Sequence, residues 1–335
     1  MYLFLIIAIA WDLRLGEPPI AFHPVVWMGS LISACMRLAP KAHQTAIPSV
    51  KARTKPQAPE ARGTAIPSNK ARTKPRALSE FFFGLAVALT LPCAIGLASA
   101  AALASLGGTP LLFTAVAAWL LTSSFSIRGL GAASERVRQA LHAGDLPAAR
   151  TALGHLCSRN ASDLNEAEVA GATIESIAEN ACDSLVAPLF FYALFGVPGA
   201  IAYRCINTLD SRLGYRGRYE YLGKASARID DVANFIPARI TALLFLVTGL
   251  ALGANARCGL GMWWRDRRQT ESPNAGQSMS MMAGLLGVCL EKRECYALGD
   301  ATRATDSVTI AQAWDIVFAA MLLWALVVVG VLYLG

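Results

Sequence analysis

The sequence predicts an all-α, polytopic integral membrane protein with cytoplasmic amphipathic helices and a candidate re-entrant hairpin. Three observations carry that reading. Hydrophobic residues make up 55% of the 335-residue chain and charged residues only 16%, whereas soluble domains carry about 25% charged residues. Several apolar runs have the length that crosses a bilayer, about 17–25 residues. The basic residues are unevenly spread: ten Lys and Arg in residues 37–76 face only Glu60, and the remainder holds 20 basic and 22 acidic residues. This composition excludes a disordered chain, a collagen and a coiled coil. A basic surplus confined to one segment, not organised on a folded face, also argues against a nucleic-acid partner.

The elements follow in chain order. Residues 1–36 form an N-terminal apolar unit. Its opening MYLFLIIAIA has the apolar core and Ala-Ile-Ala end of a signal peptide but no positive n-region, and reads as an uncleaved segment. Asp12, Arg14, Glu17 and His23-Pro24 interrupt its apolar sequence, and His23 is given no metal role. Residues 37–80 read as a basic flexible linker, in which TAIPSVKARTKP (45–56) recurs as TAIPSNKARTKP (64–75). Residues 81–335 are the membrane-embedded catalytic domain. Runs 81–106 and 111–127, joined by Gly107-Gly108-Thr109-Pro110, predict a transmembrane hairpin. The positive-inside rule puts the linker, and hence residues 128–183, in the cytoplasm. The run 184–205 is broken by Pro188 and by Gly196-Val197-Pro198-Gly199, which predicts two short arms of a re-entrant or in-plane hairpin. Runs 236–256 and 313–334 complete the apolar set.

Eight Cys without a Cys-x-x-Cys pair and four scattered His give no disulfide framework and no zinc site. There is no Walker-type phosphate loop and no Gly-x-Ser-x-Gly. The chemistry instead lies in carboxylates beside apolar segments, where acidic residues are costly and functional. Glu175, Glu179 and Asp183 recur at i, i+4, i+8 on one helical stripe, with Asn180 alongside. Their mutual repulsion calls for a cation, and Mg²⁺ favours such oxygens and bridges phosphates. The stretch YRCINTLDSRLGYRGRYEY (203–221) brings Asn207, Asp210, Arg212 and Arg216 into a glycine-containing loop, and arginine forks suit phosphate or carboxylate. ARIDDVANFIPAR (227–239) offers Asp230, Asp231, Asn234 and Arg239, with Asp230 and Asn234 on one helix face. The turn at Glu271-Ser272-Pro273-Asn274 precedes an apolar helix whose start can hold an anion.

Five stretches in this order resemble the CobD/CbiB family of cobalamin biosynthesis, the membrane-bound adenosylcobinamide-phosphate synthases. They are DLRLGEPPIAFHPVVWMG (12–29), ESIAENACDSLVAPLFF (175–191), YRCINTLDSRLGYR (203–216), GKASARIDDVANFIPAR (223–239) and SPNAGQSMSMMAGLLGV (272–288). The chain departs from the family at Ser158-Arg159-Asn160-Ala161, where Ser-Arg-Asp-Thr is usual, and in the duplicated linker. The resemblance implies amidation of adenosylcobyric acid, a corrinoid, by aminopropanol or aminopropanol phosphate. The reaction would use ATP and Mg²⁺ in a multi-pass protein of the cell (inner) membrane, with its site on the cytoplasmic side. On this reading Glu175, Glu179, Asp183, Asp230 and Asp231 bind Mg²⁺–nucleotide, with Asp210 among the catalytic acids. Arg212, Arg216 and Arg239 hold phosphates, and Asn180, Asn207, Asn234 and Asn274 orient substrate. The rival readings are a corrinoid-handling transporter subunit and an intramembrane Mg²⁺-dependent prenyltransferase. One topological conflict follows: an unbroken span over 236–256 would carry 272–276 to the face opposite the other motifs.

Overall fold

Apolar helices account for nearly all of the regular structure in the computed structural model, which describes residues 1–40, 74–157, 160–214 and 221–334. In chain order these are α1 (Tyr2–Leu15), α2 (Pro24–Arg37), α3 (Lys74–Ser105), α4 (Pro110–Thr122), α5 (Ile127–His142), α6 (Leu146–Leu153) and α7 (Glu166–Ala181). There follow α8 (Ala187–Leu213), α9 (Lys224–Ala233), α10 (Phe235–Ala251), α11 (Ala256–Asp266), α12 (Ala275–Leu286) and α13 (Ser307–Leu334). A short antiparallel hairpin, β1 (Leu290–Lys292) and β2 (Tyr296–Leu298), precedes α13. Four helical stretches are long and apolar enough to cross a membrane, and α9 with α10, bent by 49°, would count as a fifth. The protein is a polytopic helical membrane protein, as predicted. The duplicated repeat, apart from its last two residues, and Arg216 lie outside the described residues. Helix α3 already starts at Lys74, inside the last residues of the predicted linker.

The N-terminal motif joins α1 to α5. The Asp12 carboxylate accepts the backbone N–H groups of Ile127 and Arg128 at 2.9 and 3.0 Å, so it caps α5 from 115 residues away. Glu17 lies 3.5 Å from His23. The contact with His23 holds the Glu17 carboxyl down, to about 2. His23 itself accepts the N–H of Val25 and caps α2. It is a structural histidine.

Two reversals place the site. The first lies inside α8, where Gly196 has φ 67° and ψ −160°, a conformation essentially restricted to glycine. Residues 187–195 and 197–213 therefore fold back on each other, giving the two-armed hairpin that the Pro/Gly turn predicts. The second is α10–α11–α12. Trp263 on α11 donates to Gln277 on α12 at 3.0 Å, and a Cβ at Gly284 would lie 2.6 Å from the Cys258 carbonyl oxygen. Helix α11 thus runs back between α10 and α12, and glycine lets the backbones meet. Residues 272–276 return to the start of α10, which resolves the conflict: the 236–256 run does not strand them on the far face. Helix α12, buried along its whole length, is the centre of this arrangement.

Candidate active site

A cavity of about 580 Å³ opens where α7, α8, α9 and the start of α12 meet. Its lining includes six carboxylate residues, Glu179, Asp183, Asp210, Asp230, Asp231 and Glu271, and two cations, Lys224 and Arg228. Helix α7 delivers Glu179 and, through a single π-helical turn at Cys182–Val186, Asp183. A π-turn holds one residue more than an α-turn, so the register of the acidic stripe changes at that point. The α8 hairpin brings Asp210 back to Asp183 from its second arm. Asp183, Asp210 and Asp230 lie close enough to repel one another.

Polar side chains fix these acids. Tyr203 donates to the Asn234 carbonyl at 2.8 Å and lies 3.5 Å from Asp183. Asn234 in turn donates to Asp230 Oδ2 at 2.9 Å, so the shared helix face read from the sequence is realised as a hydrogen bond. Asp230 Oδ1 is buried without a hydrogen-bond partner. Asp231 is engaged differently: Arg228 lies 3.3 Å from its Oδ2, Ser272 donates to its Oδ1 at 2.9 Å, and Asn274 donates to its backbone oxygen at 2.7 Å. Asp231 therefore holds the 270–276 turn against α9. Arg204 bonds Asn207 at 3.2 Å and attracts both Asp183 and Glu17, which links the N-terminal motif to the acidic cavity.

Several predicted site residues lie elsewhere. Glu175 is buried one turn along α7 and does not line the cavity. Asn180 donates to the Ser176 carbonyl on its own helix. Asn207 supports Asp183 from behind. Arg212 points to α2, where it donates to the Gly29 carbonyl at 2.6 Å and Ser33 Oγ at 2.8 Å. The Arg212 guanidinium, read from the sequence as a phosphate-holding group, is thus occupied on α2, away from the acidic cavity. Arg239 stands at the edge of the site and donates to Asn274 at 3.3 Å. The residues missed are Lys224 and Arg228, although their i, i+4 spacing on α9, with Asp231 at i+7, is visible in the sequence.

The donor set suits a hydrated cation. Among the described residues, no three His, Cys, Asp or Glu side chains converge as a ready-made metal cage. Mg²⁺ does not need one, since it keeps several waters and binds through one or two carboxylates plus phosphate oxygens. An orphaned buried Asp230 oxygen in a carboxylate-rich cavity fits that mode. The residues able to hold Mg²⁺ are Glu179, Asp183, Asp210 and Asp230.

Comparison with known proteins gives a consistent picture. Residues 5–322 match the family described as CobD/Cbib protein. The cobalamin biosynthesis protein CobD of Dehalococcoides mccartyi is 36% identical over 332 residues, covering 99% of this chain and 97% of that protein. The protein of the same name from Chromobacterium violaceum is 40% identical over 291 residues, covering 86% and 80% respectively. The probable cobalamin biosynthesis protein CobD of Thermococcus kodakarensis is 36% identical over 98% of this chain and 95% of its own. No solved structure matches.

Proposed function

This chain belongs to the CobD/CbiB family of cobalamin biosynthesis proteins, and from that membership we propose that it joins adenosylcobyric acid to aminopropanol or aminopropanol phosphate in an amide bond, driven by ATP. The observation that supports this reading is the convergence of six carboxylates with Lys224 and Arg228 on one cavity. A carboxylate does not condense with an amine unaided in water, so it needs activation. In the proposed course a substrate carboxylate oxygen attacks the γ-phosphorus and ADP leaves. The amine nitrogen then attacks the acyl carbon, and phosphate leaves as the C–N bond forms.

Lys224 and Arg228 bind phosphate oxygens, one as a point charge and the other as a fork. Glu179, Asp183 and Asp230 would hold Mg²⁺, which when bound spreads the charge of the transferring phosphoryl group. The Asp210 carboxylate, at the open side of the hairpin, draws the amine in by charge and takes the proton that its nitrogen loses. The Asp231–Ser272–Asn274 ties keep the turn over the cavity in place. The test is radiolabelled ATP turnover by the full chain in lipid, with aminopropanol and aminopropanol phosphate compared side by side. One ADP per amide, dependent on adenosylcobyric acid, is expected. Amide formation without ADP release, or ATP turnover indifferent to the corrinoid, would overturn the reading.

A further inference from the structure

A second cavity, of about 740 Å³, adjoins the acidic one, and Arg228 and Glu271 line both. Its chemistry is the reverse. Arg239, Arg267 and Arg268 rim it, over a floor that includes Phe235, Leu246 and Trp263. The three guanidinium groups lie close enough to repel, which favours an anion between them. Two sit over aromatic rings: Arg239 Cζ stands 3.6 Å from the Phe235 ring centroid, and Arg267 Cζ 3.9 Å from that of Trp264 and 4.6 Å from that of Trp263. Arg239 Nη1 also donates to the Phe235 carbonyl and Arg267 Nη1 to the Trp264 carbonyl, so each guanidinium held on its ring would meet a carboxylate with its remaining N–H groups. Arg239 also reaches across the wall to Asn274 of the acidic cavity.

Charge alone separates the ligands. A substrate carboxylate placed among six protein carboxylates is repelled, whereas an ammonium group or a metal-bound phosphate is attracted. The arginine-rimmed cavity offers the opposite: a place for an anion carried on a large apolar body. We propose that this second cavity seats the carboxylate-bearing substrate, its reacting carboxylate forked by Arg239 and Arg267, while the acidic cavity takes the phosphates and the amine. The assignment rests on the amidation reading for the identity of that substrate. The shared wall at Arg228 and Glu271 is then where carboxylate and phosphate meet.

The test is equilibrium dialysis of the full chain in phosphatidylcholine nanodiscs, without ATP or amine. The two probes are adenosylcobyric acid and adenosylcobinamide, in which the reacting carboxylate is capped as an amide. The wild type is expected to hold the acid more tightly than the amide. R239M and R267M are expected to weaken acid binding by roughly tenfold or more and to bring the two ligands to similar affinity. R268M, at an exposed position, gives the same direction of change in a variant whose folding is not at risk. R136M, at an exposed position on α5 outside both cavities, leaves acid binding unchanged. Equal wild-type affinity for acid and amide, or arginine variants that bind the acid normally, would overturn the assignment even if ATP-driven amidation is found. Acid-selective, arginine-dependent binding in a protein that makes no amide would uphold the cavity and overturn the amidation reading. A third arm uses nanodiscs containing phosphatidylglycerol. If the arginine variants lose only retention of that lipid and keep corrinoid affinity, the cavity holds a lipid headgroup and the proposal fails.

Discussion

Phe191 and Tyr203 stand twelve residues apart in α8, yet their rings stack with centroids 5.1 Å apart and planes 12° apart. An unbroken helix would separate them by about 18 Å. The stack is therefore the signature of the reversal at Gly196, and the same Tyr203 carries the hydrogen bond to Asn234 on α9. The hairpin brings its two arms together and, through that one hydroxyl, sets the position of Asp230.

Gly196→Val should break this arrangement. A side chain at φ 67°, ψ −160° costs about 1–3 kcal/mol, and its Cβ would also meet the Met1 methyl at 3.3 Å. The expected outcome is a lower Tm in detergent together with a large loss of turnover, since both Asp183 and Asp210 depend on the hairpin. Wild-type Tm and turnover in this variant would contradict the geometry.

Asp230 and Asp231 are adjacent but should fail differently. Asp230→Asn keeps the shape and removes the charge of the orphaned oxygen, so kcat should fall by about 10²-fold or more and the Mg²⁺ concentration for half-maximal turnover should rise. Asp231→Ala loses the contacts with Arg228 and Ser272, and should lower Tm through a loss of about 1–3 kcal/mol as the 270–276 turn loosens. Single-turnover ADP release, Mg²⁺ titration and thermal melts on the two variants separate these roles. A D230N protein with the wild-type Mg²⁺ response would remove Asp230 from the metal set.

The acids were legible because they are local. Asp230 with Asn234 and Glu179 with Asp183 are spacings that a helix turns into neighbours. The same local spacing carries the stripe on to Glu175, which is buried one turn along α7 and does not line the cavity. The bonds of Arg212 to Gly29 and Ser33 were not legible because those partners lie about 180 residues earlier in the chain, and because residues 203–213, read from composition as a loop, are the second arm of α8. The return of α11 was hidden because α10 is apolar enough to resemble a full span. The reversal depends on close backbone contact at Gly284, which only packing reveals.

Glu17 gives a pH prediction. The contact with His23 lowers its carboxyl from the ordinary 4.5 to about 2 in the folded protein. The native state therefore favours the charged form. That stabilisation is fully present above about 4.5 and is lost as the pH falls from there towards about 2. Melting curves across this window should show the wild type losing Tm. Glu17→Gln should start lower at neutral pH and lack that part of the acid decline. Parallel pH profiles for the two proteins would show that the Glu17–His23 contact does not stabilise the fold.

Arg212 and Lys224 provide a matched pair, because both are cations near the α8–α9 junction but only Lys224 lines the acidic cavity. Arg212 lies on the backbone of α2, where the absence of a side chain at Gly29 admits its guanidinium: a Cβ there would be 2.9 Å from Arg212 Cζ. Arg212→Met leaves the Gly29 carbonyl and Ser33 without this charged donor, a loss of about 1.5–3 kcal/mol per charged bond at most. Its Tm should fall by several degrees while the KM for ATP stays within about twofold. Lys224 is exposed at the start of α9, so Lys224→Met should change stability by no more than about 0.5 kcal/mol. The same substitution removes a phosphate-binding charge and should raise the KM for ATP by about tenfold. Initial-rate kinetics against ATP, run beside thermal melts of the same preparations, decide between the two. A raised KM in R212M with an unchanged melt would return the phosphate role to Arg212 and mean that its bonds to α2 are not what hold it in place.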